Sequence, residues 1–458
     1  MDEARPGNDV DANARLAAFT ALDDLSGLTP AGWETATRQI ADTVAVGWAG
    51  SAADGVAEAT ELVLAEGGRP AARIWGRGER VSAAQAAFVN GVAAAALDFD
   101  SVHQSSLLHP AAITVPIALA LGADIGASGE RIVQAHIVGS EVMSRVSLAT
   151  PRRSNWFTPS IYGIFGATAT AARLLGLSAE QTHNAFGLAL AQTSGTKQAI
   201  FEPALAKRFQ TAFAIRAGLL AAQLAERGVT GARRYLDGAA GLFALYEEGS
   251  PTAVVEGIGT AFVFDQAVIK KYPACLCTHV VIDAARRLKE QHRIDLDDTA
   301  SIGITVTDYM HRLIGGPYDP GRDPQVAAQF SAAYAAVCAL DGGGMTLADI
   351  EPGKAAAAER VRRAQAIEVG IFDDLKGHVA PATVSITLKG GENFSLHVAD
   401  VPNAAFGDDA DAALRLKALD CLGRGHQPLG TAAAENCLQQ LLGLRDGHAS
   451  ALFDDAVS

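Results

Sequence analysis

Two carboxylates and two imidazoles interrupt a stretch of the chain that is otherwise apolar and rich in alanine. Asp98, Asp100, His103 and His109 all lie within residues 84–120. Ionised side chains seldom occupy such surroundings unless they are paired, hydrogen-bonded or functional, and these types often transfer protons in catalysis. The same residue types also end helices and form polar connections. The pattern by itself therefore leaves a catalytic and a structural interpretation open.

The cations that could bind an acidic small molecule lie farther along the chain. The net charge is -14, so a site for an anion must concentrate its cations locally, and nucleic acid is disfavoured as a partner. Lys207, Lys270 and Arg145 are the cations that we expect to bind substrate carboxylates. Each has a structural alternative, because the lysines could lie on solvated surface and Arg145 could form a buried ion pair within its apolar helix.

Several classes of chemistry lack their sequence signatures. No GxxxxGK[ST] loop and no GxGxxG after a strand indicate a nucleotide cofactor, and no GxSxG indicates a serine hydrolase. The five cysteines form neither a disulfide framework nor an iron–sulfur ligand set. Cys275, Cys277 and His279 could share one face of a strand as metal ligands, but the spacing suggests no fourth ligand. We therefore expect no metal and no organic cofactor.

The N-terminal sequence lacks the basic and apolar regions of a signal peptide. No run reaches about 18 uninterrupted apolar residues, which disfavours a membrane span. Together with cysteines that suit a reducing compartment, these features predict a cytoplasmic protein that does not act at a membrane.

Apolar periodicity predicts helices over residues 10–262 and mainly strands with some helices after residue 265. The predicted helices include Ala83–Ala96, Thr114–Ala123, Arg131–Leu148, Gly163–Leu175, Ala204–Arg227, His279–His292 and Gln325–Leu340. The predicted strands are Ser301–Asp308, Ala366–Phe372, Ala382–Lys389 and Asn393–Val398. Helical periodicity returns after Pro402. We predict a mostly α protein in which a large all-helical domain (1–265, joined again by 400–458) carries a smaller α+β domain (266–399).

Five segments carry a resemblance to a known family. They are the segment that holds Asp98 and His109, followed by Trp156–Ala167, Ala204–Gln210, Ile269–Cys275 and Ala328–Tyr334. In order and approximate spacing they resemble the MmgE/PrpD family, which includes 2-methylcitrate dehydratase, cis-aconitate decarboxylase and iminodisuccinate epimerase. The resemblance covers nearly the whole chain. It implies a cofactor-independent enzyme for a small polycarboxylate, with its site between a helical and an α+β domain, and a homodimer.

The resemblance also implies roles for single residues. The catalytic candidates are Asp98, His109, Lys207, Lys270 and Tyr309. The substrate-binding candidates are Asp100, His103, Arg145, Phe157, Gln210 and Cys275.

Some of these positions depart from the family pattern. Phe157 and Gln210 replace histidines of many members, Cys275 occupies a position that is histidine in the decarboxylase but often cysteine in dehydratases, and Ser101 replaces a carboxylate. Phe157 has no titratable proton, and a glutamine carries no charge near neutral pH. We therefore predict a pocket that is less basic and more apolar than in the relatives with histidines.

Removing water, losing CO2 and inverting a carbon beside a carboxylate all pass through carbanion-like charge, which fixed cations stabilise in a dry site. The lysines would bind carboxylates, an aspartate or imidazole would remove a proton, and Tyr309 or a histidine would return it. We predict a dehydratase-like lyase. A decarboxylase or an epimerase is the alternative within the fold, because fold analogy does not choose among them. A non-catalytic binding or scaffold protein is the alternative of another class, suggested by the lost histidines and opposed by the retained acid, histidine and lysines.

Overall fold

The computed structural model describes residues 11–150, 154–401, 410–447 and 452. Before residue 265, the helices of this described part are α1 (Ala12–Leu22), α2 (Pro30–Gly50), α3 (Val56–Glu66), α4 (Ala83–Ala96), α5 (Pro110–Ile125), α6 (Gly129–Leu148), α7 (Thr158–Ile161), α8 (Gly163–Leu175), α9 (Ala179–Leu190), α10 (Gln198–Phe201), α11 (Ala206–Glu226), α12 (Leu242–Leu245) and α13 (Pro251–Val255). After it come α14 (Leu276–His292), α15 (Asp308–Ile314), α16 (Pro324–Gln329), α17 (Ala332–Gly342), α18 (Pro352–Ala355), α19 (Ala358–Gln365), α20 (Ala410–Leu422) and α21 (Thr431–Leu442).

The strands are short in the helical region and longer in the second half of the chain. They are β1 (Ala72–Arg73), β2 (Arg80–Val81), β3 (Val102–His103), β4 (Ala267–Val268), β5 (Thr299–Val306), β6 (Glu368–Ile371), β7 (Ala382–Leu388) and β8 (Asn393–Val398). The last four form one sheet in the order β6-β5-β7-β8, with β5 and β6 parallel and the other pairs antiparallel. The predicted fold class, a large helical domain with a smaller α+β domain, is confirmed.

Small residues allow the helices around the site to pack closely. α11 packs against α4 and α8, and a Cβ at Gly218 of α11 would lie 2.8 Å from the backbone oxygen of Ile164 in α8. Only glycine permits that approach, because real Cβ contacts are not so short. The packing of α4 on α11 places the C-terminal end of α4 near the N-terminal end of α11, where Lys207 lies.

One face of the four-stranded sheet is apolar. Ile304, Val306, Val384 and Ile386 are fully buried there or nearly so, and α14 packs against β7 and β8. The other face carries polar cross-strand pairs, such as Ser385 with Ser395. This alternation is the pattern from which the strands were predicted.

The structure divides one predicted helix and adds short strands. The stretch predicted as Gln325–Leu340 is two helices, α16 and α17, because the side chain of Ser331 accepts a hydrogen bond from the Tyr334 backbone and begins a new helix. β3 pairs with β4 across more than 160 residues of chain. Such pairs of two residues are too short to produce a periodic signal in the sequence.

Two helices from the end of the chain return to the first part of the molecule. α20 and α21 both pack against α2, and they also contact each other. In the described ranges, each helix is either too short or too polar to traverse a lipid bilayer.

Candidate active site

The turn after α4 brings a buried carboxylate to two lysines. Asp98 lies there in the left-handed region, with φ 49°, a conformation that aspartate tolerates better than most residues. Its Oδ1 accepts a hydrogen bond from Lys207, and its Oδ2 lies 2.9 Å from the Nζ of Lys270. Lys270 also donates to the Asp98 carbonyl at 2.8 Å. The ammonium groups therefore fix both the side chain and the backbone of this turn.

Each partner reaches the turn through a different part of the fold. Lys207 lies in the first turn of α11, which packs along α4. Lys270 follows β4, and the pairing of Val102 with Val268 holds that segment beside the acidic turn. The contact between residues 98 and 270 thus depends on the β3–β4 ribbon.

Within this ion triad, the pKa shifts of Asp98 and Lys270 favour their charged forms at neutral pH. Burial alone would raise the pKa of Asp98, but the two ammonium groups outweigh burial and hold the pKa far below its usual range. Burial alone would lower the pKa of Lys270, but the charge of Asp98 outweighs it and raises that pKa. Because two cations share one carboxylate, the triad carries a net positive charge that can attract an anion.

A second acid orients the histidine of the site. His109 precedes Pro110 at the start of α5, and its Nδ1 lies 2.8 Å from Oδ2 of Asp100. Burial alone would raise the pKa of Asp100, but the imidazole outweighs it and lowers that pKa. Since Asp100 occupies Nδ1, Nε2 is the nitrogen through which His109 can exchange a proton with a bound molecule.

The five predicted catalytic residues line a single cavity. They are Asp98, His109, Lys207, Lys270 and Tyr309. Tyr309 comes from α15, so the cavity lies between the helical region and the C-terminal α+β part. A larger cleft, of about 740 Å³, shares Ile200, Leu313 and Phe330 with the cavity and offers a route for a small molecule from solvent.

The predicted substrate-binding residues separate into two groups. Phe157 and Cys275 line the cavity. Asp100 does not line the cavity. It is buried behind His109, where its carboxylate contacts the imidazole, so the prediction that it contacts substrate is corrected. Phe157 adds an apolar surface to the cavity wall.

The other three, His103, Arg145 and Gln210, do not line the cavity, and the prediction that they contact substrate is corrected. His103 is fully buried, and its Nε2 lies 2.9 Å from the carbonyl oxygen of Val263. Arg145 forms a buried ion pair with Glu141 of the same helix, which is the structural interpretation that the sequence had left open for it.

Gln210 is turned toward the backbone instead of the cavity. Its side-chain oxygen accepts a hydrogen bond from the Thr196 backbone at 2.7 Å, and its carbonyl accepts one from Ser160 at 3.1 Å. Gln210 therefore fixes the turn at residues 195–197 and does not set the basicity of the pocket.

Two lysines of the site region were not predicted. Lys197 lines the cavity and is 7% exposed. Lys417 of α20 lies behind the cavity, where its ammonium donates to the carbonyls of Phe99 at 2.7 Å and Lys270 at 3.1 Å. Its Nζ also lies 2.6 Å from the fully buried carboxylate of Asp42. An aspartate inside the apolar sequence of α2 was the signal that could have revealed this pair.

Replacing Lys417 by Met should destabilise the protein more at alkaline than at acidic pH. Burial raises the pKa of Asp42 to about 6 despite Lys417, so folding favours its protonated form and the carboxylate costs stability as pH rises above about 4. Removing the ammonium should raise that pKa further and leave a buried unpaired charge, at a cost of about 3–5 kcal/mol. Urea unfolding at about pH 5 and about pH 8 measures the difference.

The double variant Lys417→Met with Asp42→Asn is the matched control. It removes both charges and should recover most of the lost stability. An equal loss at the two pH values, with no recovery in the double variant, would show that the packing of the Lys417 side chain, and not the ion pair, matters.

Cys275 should be the first cysteine to react with iodoacetamide. It lines the cavity and is partly exposed, and a hydrogen bond from the thiol of Cys277 lowers its pKa. Burial instead raises to about 12 the pKa values of Cys338, Cys421 and Cys437. Because the thiolate is the nucleophile, peptide mass spectrometry should find residue 275 modified first, and a bound carboxylate should slow its modification. Equal rates at Cys275 and Cys437 would contradict this order.

The candidate metal ligands of the sequence do not form a strand. Cys275 precedes α14, and Cys277 and His279 lie within it. Among the residues that the structure describes, no group of three or more His, Cys, Asp or Glu side chains is placed to hold a metal ion.

Several known proteins are similar in sequence to a large part of this chain. The cis-aconitate decarboxylase of Homo sapiens is 29% identical over 288 residues, which are 60% of this chain and 58% of that protein, so less than two thirds of its length is matched. That of Mus musculus is 27% identical over 388 residues, or 78% of this chain and 76% of the relative. The enzyme of Aspergillus terreus is 25% identical over 323 residues, 66% of each chain.

The family models cover most of the chain. The MmgE/PrpD N-terminal domain matches residues 14–254, and the MmgE/PrpD C-terminal domain matches residues 272–422. Asp98 and Lys207 lie in the first matched region, and Lys270 lies between the two, just before the second begins. The chain therefore belongs to the MmgE/PrpD family.

Proposed function

We propose that the chain is a lyase that removes CO2 from a small unsaturated polycarboxylate of the cis-aconitate type, using its own side chains. The observation that carries this proposal is a cavity lined both by lysines and by apolar side chains (the apolar wall). Among the described residues that line it, Lys197, Lys207 and Lys270 face a single carboxylate, Asp98. The excess of positive charge suits a substrate with several carboxylates.

The apolar wall supports decarboxylation in particular. Val102, Leu107, Phe157, Leu276 and Val379 line the same cavity. A carboxylate held against these side chains loses hydration without gaining a cation, and this favours its loss as neutral CO2. The remaining carboxylates stay with the lysines, whose fixed charges stabilise the electron pair that develops in the transition state.

The reaction then needs one proton. When the C–C bond to the leaving carboxylate breaks, its electron pair forms a new double bond to the adjacent carbon, and the pair of the original double bond moves to that bond's far carbon. This far carbon of the original double bond takes a proton from Nε2 of His109, which Asp100 orients through Nδ1. Tyr309, on the opposite unit of the fold, is the alternative donor.

Dehydration of a hydroxy-polycarboxylate is the second candidate. The observation that favours it is Cys275 in the cavity wall, at a position where the sequence resemblance has histidine in the decarboxylase and often cysteine in dehydratases. In that reaction His109 or Asp98 would take the proton beside a carboxylate, and the leaving hydroxyl would receive one from Tyr309.

A substrate panel tests the proposal. The purified protein, treated with EDTA, is incubated with cis-aconitate, 2-methylcitrate and iminodisuccinate, while CO2 release is measured and products are identified by NMR. We expect CO2 from cis-aconitate or a close analogue, and a release at least about 30-fold slower by the folded variant Lys270→Met.

Each other outcome has a defined meaning. Water loss from 2-methylcitrate without CO2 would replace the first candidate by the second. No turnover of any acid by folded protein, together with no binding of these acids in calorimetry, would overturn both and favour the non-catalytic alternative.

A further inference from the structure

A third lysine of the cavity is held in place from both sides. Lys197 follows a turn whose backbone is hydrogen-bonded to residues 155–156. Its own N–H donates to the Asn155 carbonyl at 2.9 Å, and Thr196 forms a β-bridge with Trp156. Its Nζ donates to the Ser154 carbonyl at 2.6 Å. The turn is further fixed by the bond from Thr196 to Gln210 described above. The ammonium is thus preorganised in the wall.

The same ammonium reaches the opposite unit of the fold. The Nζ of Lys197 lies 5.4 Å from the centroid of the Tyr309 ring, within the range of a cation–π contact. A second ring, that of His378, packs perpendicular to the Tyr309 ring, with 4.7 Å between the two ring centroids. An ammonium is a compact charge with three rotatable donors, and that of Lys197 belongs to a residue that lines the cavity.

The charges of the cavity are divided between two places. Lys207 and Lys270 share Asp98, whereas Lys197 stands with Tyr309. A substrate with one carboxylate could be bound by the triad alone. A substrate with a second carboxylate, directed toward Tyr309, would meet another cation that burial makes effective.

We infer that Lys197 is a specificity-determining residue that binds a second carboxylate of the substrate and selects polycarboxylates over monocarboxylates. This inference rests on the proposed function for the identity of the substrate class. It assigns the triad to one carboxylate and Lys197 to the other, so the leaving carboxylate is the one held against the apolar wall.

Paired substrates and paired variants test the inference. The variants are Lys197→Met, which removes the charge, and Lys197→Arg, which keeps it. The control is Lys389→Met, because Lys389 also donates to a backbone carbonyl at 2.6 Å but is exposed in the sheet and outside the cavity. The substrates are the acid that the panel identifies and its analogues in which one carboxylate is replaced by a carboxamide.

The expected result is a change in selectivity. In Lys197→Met, kcat/KM for the full acid should fall about 10- to 100-fold, mainly through KM, as for the loss of a hydrogen bond to a charged group. One carboxamide analogue should change by less than about threefold, since it lacks the group that Lys197 binds. Lys197→Arg and Lys389→Met should keep the preference of the unaltered protein. The ratio of the two kcat/KM values does not depend on the fraction of active protein, so partial misfolding cannot imitate the result.

Binding measurements separate this inference from the proposed function. Calorimetry compares tricarballylate with butyrate, neither of which contains the double bond needed for turnover. Loss of the preference for tricarballylate in Lys197→Met supports the inference even if no acid of the panel is turned over. Turnover of the panel acid with the same selectivity in Lys197→Met as in the unaltered protein would overturn the inference and leave the proposed function intact.

Discussion

Asp98→Asn should remove activity and lower the free energy of unfolding by about 3–5 kcal/mol at neutral pH, because two buried ammonium groups lose their shared carboxylate. Asparagine also tolerates the left-handed backbone conformation at this position, so the turn itself need not change. The loss of kcat/KM should be at least about 100-fold, since the repelling lysines can no longer hold a defined position in the transition state. Urea unfolding and steady-state kinetics on the same preparations measure the two effects.

The pH dependence of Asp98→Asn gives a further expectation. In the unaltered protein the lowered pKa of Asp98 and the raised pKa of Lys270 stabilise the fold between the unfolded-state pKa values of about 3.9 and about 10.4. That stability is lost below this window as the acid is protonated and above it as the lysine loses its proton. Without the carboxylate, burial lowers the pKa of Lys270, so the deficit of the variant should shrink as pH rises above neutrality.

A matched control distinguishes a buried from an exposed ion pair. Asp297 pairs with Arg363 and is 75% exposed, so Asp297→Asn should cost at most about 1 kcal/mol. If Asp98→Asn lowered the free energy of unfolding no more than Asp297→Asn does, and kept its activity, the ion triad would not be the centre of the site.

We expect Lys207→Met and Lys270→Met each to lower kcat/KM roughly 30- to 1,000-fold, which corresponds to a loss of about 2–4 kcal/mol of transition-state stabilisation. Each variant removes a cation beside the developing negative charge. Their effect on stability should be smaller than that of Asp98→Asn, since one lysine remains for the carboxylate. The double variant leaves Asp98 buried and unpaired, and its loss of stability should therefore exceed the sum of the single losses.

The neighbouring residue provides the control for this prediction. Lys271 is exposed and lies 5.4 Å from the ring of Tyr272, outside the cavity. Lys271→Met should leave kcat/KM within about threefold of the unaltered value. Equal losses from Lys270→Met and Lys271→Met would point to the general charge of this segment and not to a direct role at the site.

Long periodic elements could be predicted from the sequence because burial imposes their pattern. α4 and β8 have the predicted boundaries, and the strands β5 and β7 are displaced by two residues at most. The ribbon of β3 with β4 could not be predicted, since two residues carry no period and their partners are distant in sequence. The same ribbon brings Lys270 to Asp98, so a contact that defines the site has no local signal.

The candidate site shows a similar division. Asp98, Lys207 and Lys270 were predicted as residues of the site. That the two lysines pair with Asp98 could be seen only in the structure.

Arg145 and Gln210 were predicted to face substrate. Arg145 instead pairs with Glu141, four residues earlier on α6, which was the structural alternative from the sequence. Gln210 accepts a hydrogen bond from the Thr196 backbone, for which the sequence has no signal. Lys197 was missed because a single lysine beside glycine and threonine is typical of a solvated loop.

Lys417 links the state of the site to the order in which the chain is made. The carboxylate of Asp42 and the carbonyl groups of Phe99 and Lys270 lie behind the cavity, and the ammonium that contacts all three belongs to α20. During synthesis, Asp42 of α2 therefore has no ion-pair partner in Lys417 until α1 to α19 have been made. A chain that stops short of α20 lacks both this counter-charge and the donor to the Phe99 carbonyl. A product without α20 would therefore carry a buried carboxylate without its cation, which favours its unfolding and removal.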